Sequence, residues 1–208
     1  MKERPILFSA PMVRAILAGS KTQTRRALAP DLFMSSGGAV VRMASAGPAT
    51  TGIREAHCPY WREPGDRLWV RETWREWSDA AWHYAADGLV LPKQRDRELA
   101  EFLAQRAPFT WESYTWRPSI HMPRWASRIT LEVTGVRVER LQDISEADAI
   151  AEGITYSEAL QGWHTEEGRH FHCAAPPKSY AGLWESINGP GSWDANPWCW
   201  VIEFRRVS

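Results

Sequence analysis

Cysteine is scarce in this chain of 208 residues, and the three present form no regular framework. An odd count at irregular spacing argues against a disulfide-built secreted fold and points to the reducing cytoplasm. No stretch approaches the roughly 20 apolar residues that cross a bilayer. The short apolar run Ile6-Leu7-Phe8 does not make a secretory signal, so no membrane association is expected. An excess of one charge is also missing, since 25 Lys and Arg balance 25 Asp and Glu. That balance excludes the global basic field of nonspecific duplex binders, so any nucleic-acid contact must be local. Convincing repeats and long low-complexity tracts are absent, and nothing in the chain implies an obligate protein partner.

Tryptophan, by contrast, is abundant, with thirteen residues. Trp69, Trp198 and Trp200 fall in strand-like segments and suit a small core. Trp61, Trp74, Trp77, Trp82, Trp111, Trp116 and Trp125 fall in or beside loops and inserts, where a ring at a pocket can stack on a nucleobase. Arg124-Trp125, with Arg128 close by, interleaves cation and ring as base stacking with phosphate contact requires, although a core tryptophan ahead of the strand at Ile129 fits equally well. Arginine is favoured over lysine, and Arg25-Arg26 stands out because it closes the segment Gly19-Ser20-Lys21-Thr22-Gln23-Thr24. Val13, Ile16 and Leu17 have helical spacing ahead of it, and Gly19 suits a left-handed helix end. Lys21 and Thr24 would face opposite sides of a plain strand, so their joint use requires a turn or bulge.

Gly19, Lys21 and Arg26 match the Gly-x-Lys-x-x-Glu-x-Arg signature of the ASCH domain, which the chain resembles. Pro64-Gly65-Asp66 with Arg67 to Glu72, Ile129 to Val136, Leu141 to Ile154, and Trp200 to Phe204 follow in the order that family requires. The resemblance implies an α+β fold: a PUA-like small β-barrel of five or six strands with flanking helices and loop insertions. It covers the chain as a single domain, 1–208, with insertions near 30–63, 76–118 and 155–180. The overall pattern is most similar to the longer ASCH proteins of phages and prophages. Thr24 stands where most of the family has glutamate. In this it is similar to the N4-acetylcytidine amidohydrolases, and the alignment then adds Glu152 to Lys21 and Thr24 as the catalytic set.

The chemistry such a set implies is acyl transfer from an exocyclic amine, with no cofactor. Thr24 supplies the nucleophilic oxygen or positions a water, and it needs a base within hydrogen-bond reach. Lys21 is a poor base unless burial or positive neighbours such as Arg25 and Arg26 lower its pKa, and Glu152 beside it would raise that pKa again. Glu152 orients Lys21 or carries a proton to the leaving nitrogen. Arg25, Arg26, Arg124 and Trp125 are the expected substrate-binding residues, and the expected ligand is a nucleoside or an RNA containing a modified cytidine. Two other functions fit the same residues. One is a noncatalytic module binding RNA or a modified base, and the other is a metal-dependent ribonuclease. His164, His170, His172 and Cys173, with His57-Cys58 upstream, are spaced too irregularly for a structural zinc site, and a solvated loop is favoured there.

Overall fold

The computed structural model describes residues 2–29, 32–35, 40–42, 52–53, 58–60, 65–78, 81–92, 115–165 and 174–207. It is a mixed α+β structure, mostly strands with few helices. The main sheet uses β1 (Glu3–Leu7), β2 (Gln23–Ala27), β6 (Arg67–Arg71), β10 (Thr130–Arg140) and β13 (Trp198–Arg206), in the order β1-β6-β10-β13-β2. β1 runs parallel to β6, and the other pairs are antiparallel. In the eleven-residue β10 the register shifts between Val133 and Gly135, a bulge that bends the strand. A Cβ on Gly135 would stand 2.8 Å from Glu203 Oε2, so the bulge uses the one residue without that atom.

The closed barrel expected from the sequence is not formed among the described residues. β1 and β2 are the two edges of an open sheet. What joins them is a side chain: the Arg26 guanidinium, carried by β2, donates from Nη2 to the Leu7 carbonyl at the end of β1 at 2.6 Å. The core lies against this curled sheet. Ile6, Phe8, Leu68, Val70, Leu131, Val133, Ile202 and Phe204 pack with Val13 and Ile16 of helix α1 (Ala10–Leu17). Burial of this kind stabilises by about 1.5–3 kcal/mol for each large aliphatic side chain.

The region near 30–63, expected to be a loop, contains a small sheet of β3 (Leu32–Met34), β4 (Val40–Arg42) and β5 (Gly52–Ile53). A second small sheet holds β7 (Trp74–Ser78), β8 (Ala81–Tyr84) and β9 (Val90–Pro92). The helix-like run Asp96 to Ala104 lies outside the described residues. Helix α2 (Glu146–Ala151) is followed by the hairpin β11 (Thr155–Ser157) and β12 (Gly162–His164), then by α3 (Pro176–Asn188). Leu141, Ile144, Ala149, Ile154, Tyr180, Leu183 and Trp184 form a second core that ties α2 to α3. Among the described residues no helix is long and apolar enough to cross a membrane.

Candidate functional site

Gly19, at φ +79°, ends α1, and Ser20 and Lys21 fold back so that both backbone N–H groups donate to the Ala15 carbonyl. The chain then meets the end of α2. That helix starts with a reciprocal cap, Ser145 accepting from the Asp148 backbone while the Asp148 carboxylate accepts from the Ser145 backbone. It ends at Glu152 and turns at Gly153, φ +100°. Thr22 N–H donates to the Ala151 carbonyl, and Lys21 and Glu152 form an isolated antiparallel bridge. Residues 131 positions apart are thereby placed side by side. The Lys21 ammonium donates to Glu152 Oε2 at 2.8 Å and to the Glu152 carbonyl at 2.8 Å. The turn at Ala18 and Gly19 precedes Lys21, and Thr22 alone separates Lys21 from β2.

Both partners are almost fully enclosed, at 2% exposure for Lys21 and 4% for Glu152. Burial holds the Lys21 pKa below that of an ordinary lysine. The charge and hydrogen bond of Glu152 pull it up, Arg26 and Arg25 push it down, and the balance is downward. In the opposition anticipated between burial and the neighbouring carboxylate, burial has the larger effect and the shift is downward.

A cavity of about 320 Å³ opens beside this pair, at the seam between the two sheet edges. Its wall includes Leu7 and Phe8 from the end of β1, Thr24 to Ala27 of β2, Glu152, and Tyr180, Leu183 and Trp184 of α3. The volume is at the small end of the about 300–1,000 Å³ range of small-molecule sites. Leu7 and Ile187, also in the wall, are 40% and 53% exposed and give the mouth an apolar rim. Thr24 is 3% exposed. Lys21 is not itself in the wall. It touches the cavity through Glu152 and through Phe8, whose ring centroid is 5.8 Å from its ammonium.

Arg25 has a side chain with no exposure, and its Nη2 is 3.0 Å from Glu139 and 3.3 Å from Asp148. Its Nη1 is 3.6 Å from Glu152 Oε1, too far for a hydrogen bond, and Nε, Nη1 and that Oε1 are all buried without partners. Trp184 Nε1 and Arg26 Nε are buried without partners as well. Arg25, Arg26, Glu152 and Trp184, whose side chains carry these atoms, all belong to the cavity wall. Asp148, within this network, has its pKa held at about 2: burial raises it, but hydrogen bonds from Ser145 and the charges of Arg25 and Arg137 overcome that.

Of the seven residues expected at the site, Thr24, Arg25, Arg26 and Glu152 line the cavity, and Lys21 is bonded to one of them. Arg124 and Trp125 do not. Arg124 donates to Glu3 at 2.8 Å and lies over the Trp69 ring. Trp125 is neither in the cavity nor in the core: it is 64% exposed and leans on Trp82 with centroids 4.7 Å apart. The reason is sequence-local, since a 3-10 turn at Arg124–Ala126 buries Ala126 and turns the ring outward. Trp74 and Trp82, expected beside loops, are buried in a separate aromatic cluster. The tryptophan that does line the cavity is Trp184, which the loop-based reading missed. Its signal was the apolar spacing of Tyr180, Leu183 and Trp184 along α3. His164 contacts the Thr165 carbonyl, while His57, His170, His172 and Cys173 lie outside the described residues. Among the described residues no group of three or more His, Cys, Asp or Glu is placed to hold a metal ion. No family model, no curated protein and no solved structure matches the chain.

Proposed function

We propose that the chain is an amidohydrolase that removes an acyl group from the exocyclic amine of an N4-acylated cytidine or a related nucleoside, and that its fold is an ASCH-type, PUA-like one with an open seam. The observation that carries this reading is the convergence of Thr24 and Glu152 on one cavity, with a buried lysine bonded to the glutamate. Thr24 Oγ1 attacks the acyl carbonyl carbon. Its proton passes to the Lys21–Glu152 pair, whose lysine is held toward the neutral form by burial. Arg25, with Nε and Nη1 unspent, stabilises the negative charge that develops on the carbonyl oxygen. The C–N bond then breaks, and the proton held by the pair goes to the leaving amine, freeing the nucleoside. Water attacks the acyl-threonine, its proton returns to Thr24 by the same pair, and the carboxylic acid departs. Trp184 Nε1 and Arg26 Nε are donors suited to the acceptor-rich Watson–Crick edge of an acylated cytosine, and Phe8 and Leu183 offer apolar surface to its ring.

Metal-free protein incubated with N4-acetylcytidine releases cytidine, followed by chromatography. Thr24→Ala reduces turnover by more than about 10³-fold, or about 4 kcal/mol of transition-state stabilisation, and Lys21→Met and Glu152→Gln are similarly impaired. Folded wild-type protein that turns over neither the nucleoside nor acetylated RNA rejects the reading and favours a noncatalytic binding module. Activity appearing only with added divalent metal, on RNA, favours the nuclease.

A further inference from the structure

Arg25 shares its face of the main sheet with a second arginine. In the register of β2, β13 and β10, Arg25 pairs with Val201 and Val201 pairs with Arg137. The two arginines therefore stand in one row on the same side of the sheet, their Cα atoms about 10 Å apart, twice the spacing of neighbouring strands. Two carboxylates bridge them, Glu139 from β10 and Asp148 from α2. Glu139 accepts from Arg25 Nη2 through Oε2 at 3.0 Å and from Arg137 Nε through Oε1. Asp148 Oδ2 is 3.3 Å from Arg25 Nη2, and Asp148 Oδ1 accepts from Arg137 Nη2 at 2.7 Å. Two cations and two anions alternate in a closed ring. Arg137 also donates to Glu203 of β13, and its Nη2 is 3.4 Å from the side-chain oxygen of Gln23 on β2. Its side chain is 33% exposed, against none for Arg25, and it is not part of the cavity wall.

A guanidinium beside a carboxylate with both oxygens open favours a two-nitrogen fork, as Arg128 makes with Glu72. Arg25 is denied that geometry. Each of its two bridging carboxylates has the second oxygen occupied by Arg137, so both contacts fall on Nη2. Nη1 stays 3.6 Å from Glu152 Oε1, and Arg25 and Glu152 both belong to the cavity wall. We propose that Arg137 is a positioning residue for Arg25: by occupying the second oxygens of Glu139 and Asp148 it keeps Arg25 attached through Nη2, and so keeps Nη1 beside Glu152. Its charge also balances the ring, since Arg25 alone would face two carboxylates there and a third in Glu152. The consequence for turnover rests on the amidohydrolase reading, whereas the placement of Arg25 does not.

Crystal structures of the wild type and Arg137→Met read the placement. In the variant the second oxygens are released, and the Arg25 guanidinium turns to a two-nitrogen pairing with Glu139 or Asp148 and withdraws Nη1 from Glu152. An Arg25 placed as in the wild type overturns the proposal. Lys21 gives a second readout in solution. Arg25 helps to hold the Lys21 pKa down, so its withdrawal, which also leaves Glu152 less compensated, moves the Lys21 titration midpoint up. The chain has four lysines, and the ¹⁵N resonance of Lys21 is the one lost in Lys21→Met. An unmoved midpoint overturns the proposal. With N4-acetylcytidine, Arg137→Met lowers kcat about tenfold with little change in KM, as a slight misplacement of a catalytic group does. An active wild type whose kcat is indifferent to Arg137→Met overturns the positioning role and leaves the hydrolase reading standing. Should Arg137→Met not fold, Arg137→Lys, a point charge without the planar fork, carries the same three readouts in the same directions with smaller shifts. If Arg25 and the midpoint move in a protein without amidase activity, the hydrolase reading falls and the role of Arg137 stands.

Discussion

Two buried arginines in this molecule have similar neighbours and opposite degrees of satisfaction. Arg128, whose side chain is 8% exposed, gives Nε and Nη2 to the two oxygens of Glu72 at 2.8 and 2.9 Å. It also gives Nη1 and Nη2 to Asp87 at 2.8 and 3.0 Å, and it stacks over Tyr84. Arg25, fully buried among Glu139, Asp148 and Glu152, leaves Nε and Nη1 without a hydrogen bond, with Nη1 only in ion-pair distance of Glu152, and belongs to a cavity wall. The first cluster joins the segment ahead of β10 to the segment ahead of β7 and to the connection between β8 and β9, and its geometry is spent on the fold. The second keeps donors in reserve. A buried charge network is thus evidence for a site only when its bonding is incomplete beside open space.

The largest test of this contrast removes the paired arginine. Arg128→Ala leaves Glu72, 2% exposed, as an uncompensated buried carboxylate, and the loss of stability in urea unfolding is about 3–5 kcal/mol. Turnover per folded molecule stays unchanged. The converse is Arg25→Lys, which keeps the charge and loses the planar fork. It lowers kcat by about 10²-fold, with a smaller change in melting temperature than Arg128→Ala, and equal destabilisation by both variants would erase the distinction.

A smaller effect concerns the ionisation of Lys21. Arg26 helps to hold its pKa down, so Arg26→Gln raises it, and the limb of kcat that rises with pH as Lys21 loses its proton moves to higher pH in a pH–rate profile. The least effect is expected for Asp148. Its folded pKa of about 2 lies below that of an unfolded aspartate. The stability it contributes is therefore present above the unfolded value and is lost as pH falls toward about 2. Acid denaturation monitored by circular dichroism is less steep over that window in Asp148→Asn.

Local signals were legible wherever short-range geometry decides the outcome. The spacing of Val13, Ile16 and Leu17 and the glycine at 19 anticipated α1 and its left-handed end. The strand expected from Ile129 to Val136 is observed, although it runs on to Arg140 because a bulge lets it bend instead of ending. The tryptophans misled for a related reason. A ring's neighbours depend on which face of a turn or helix it leaves: Trp125 points outward, whereas Trp184, given no role from the sequence, lines the cavity.

The sequence by itself determined the balanced charge, the short helices and strands, and the presence of a lysine, a threonine and two arginines within six residues. These follow from composition and from backbone preferences spanning a few positions. Only the tertiary structure decided that the main sheet stays open at β1 and β2, that the cavity occupies the seam, and that Glu152 meets Lys21 while Arg25 keeps unpaired donors beside them. Those outcomes depend on how edges separated by the length of the chain pack together. Burial, which sets the direction of the Lys21 pKa, exists only once that packing is complete.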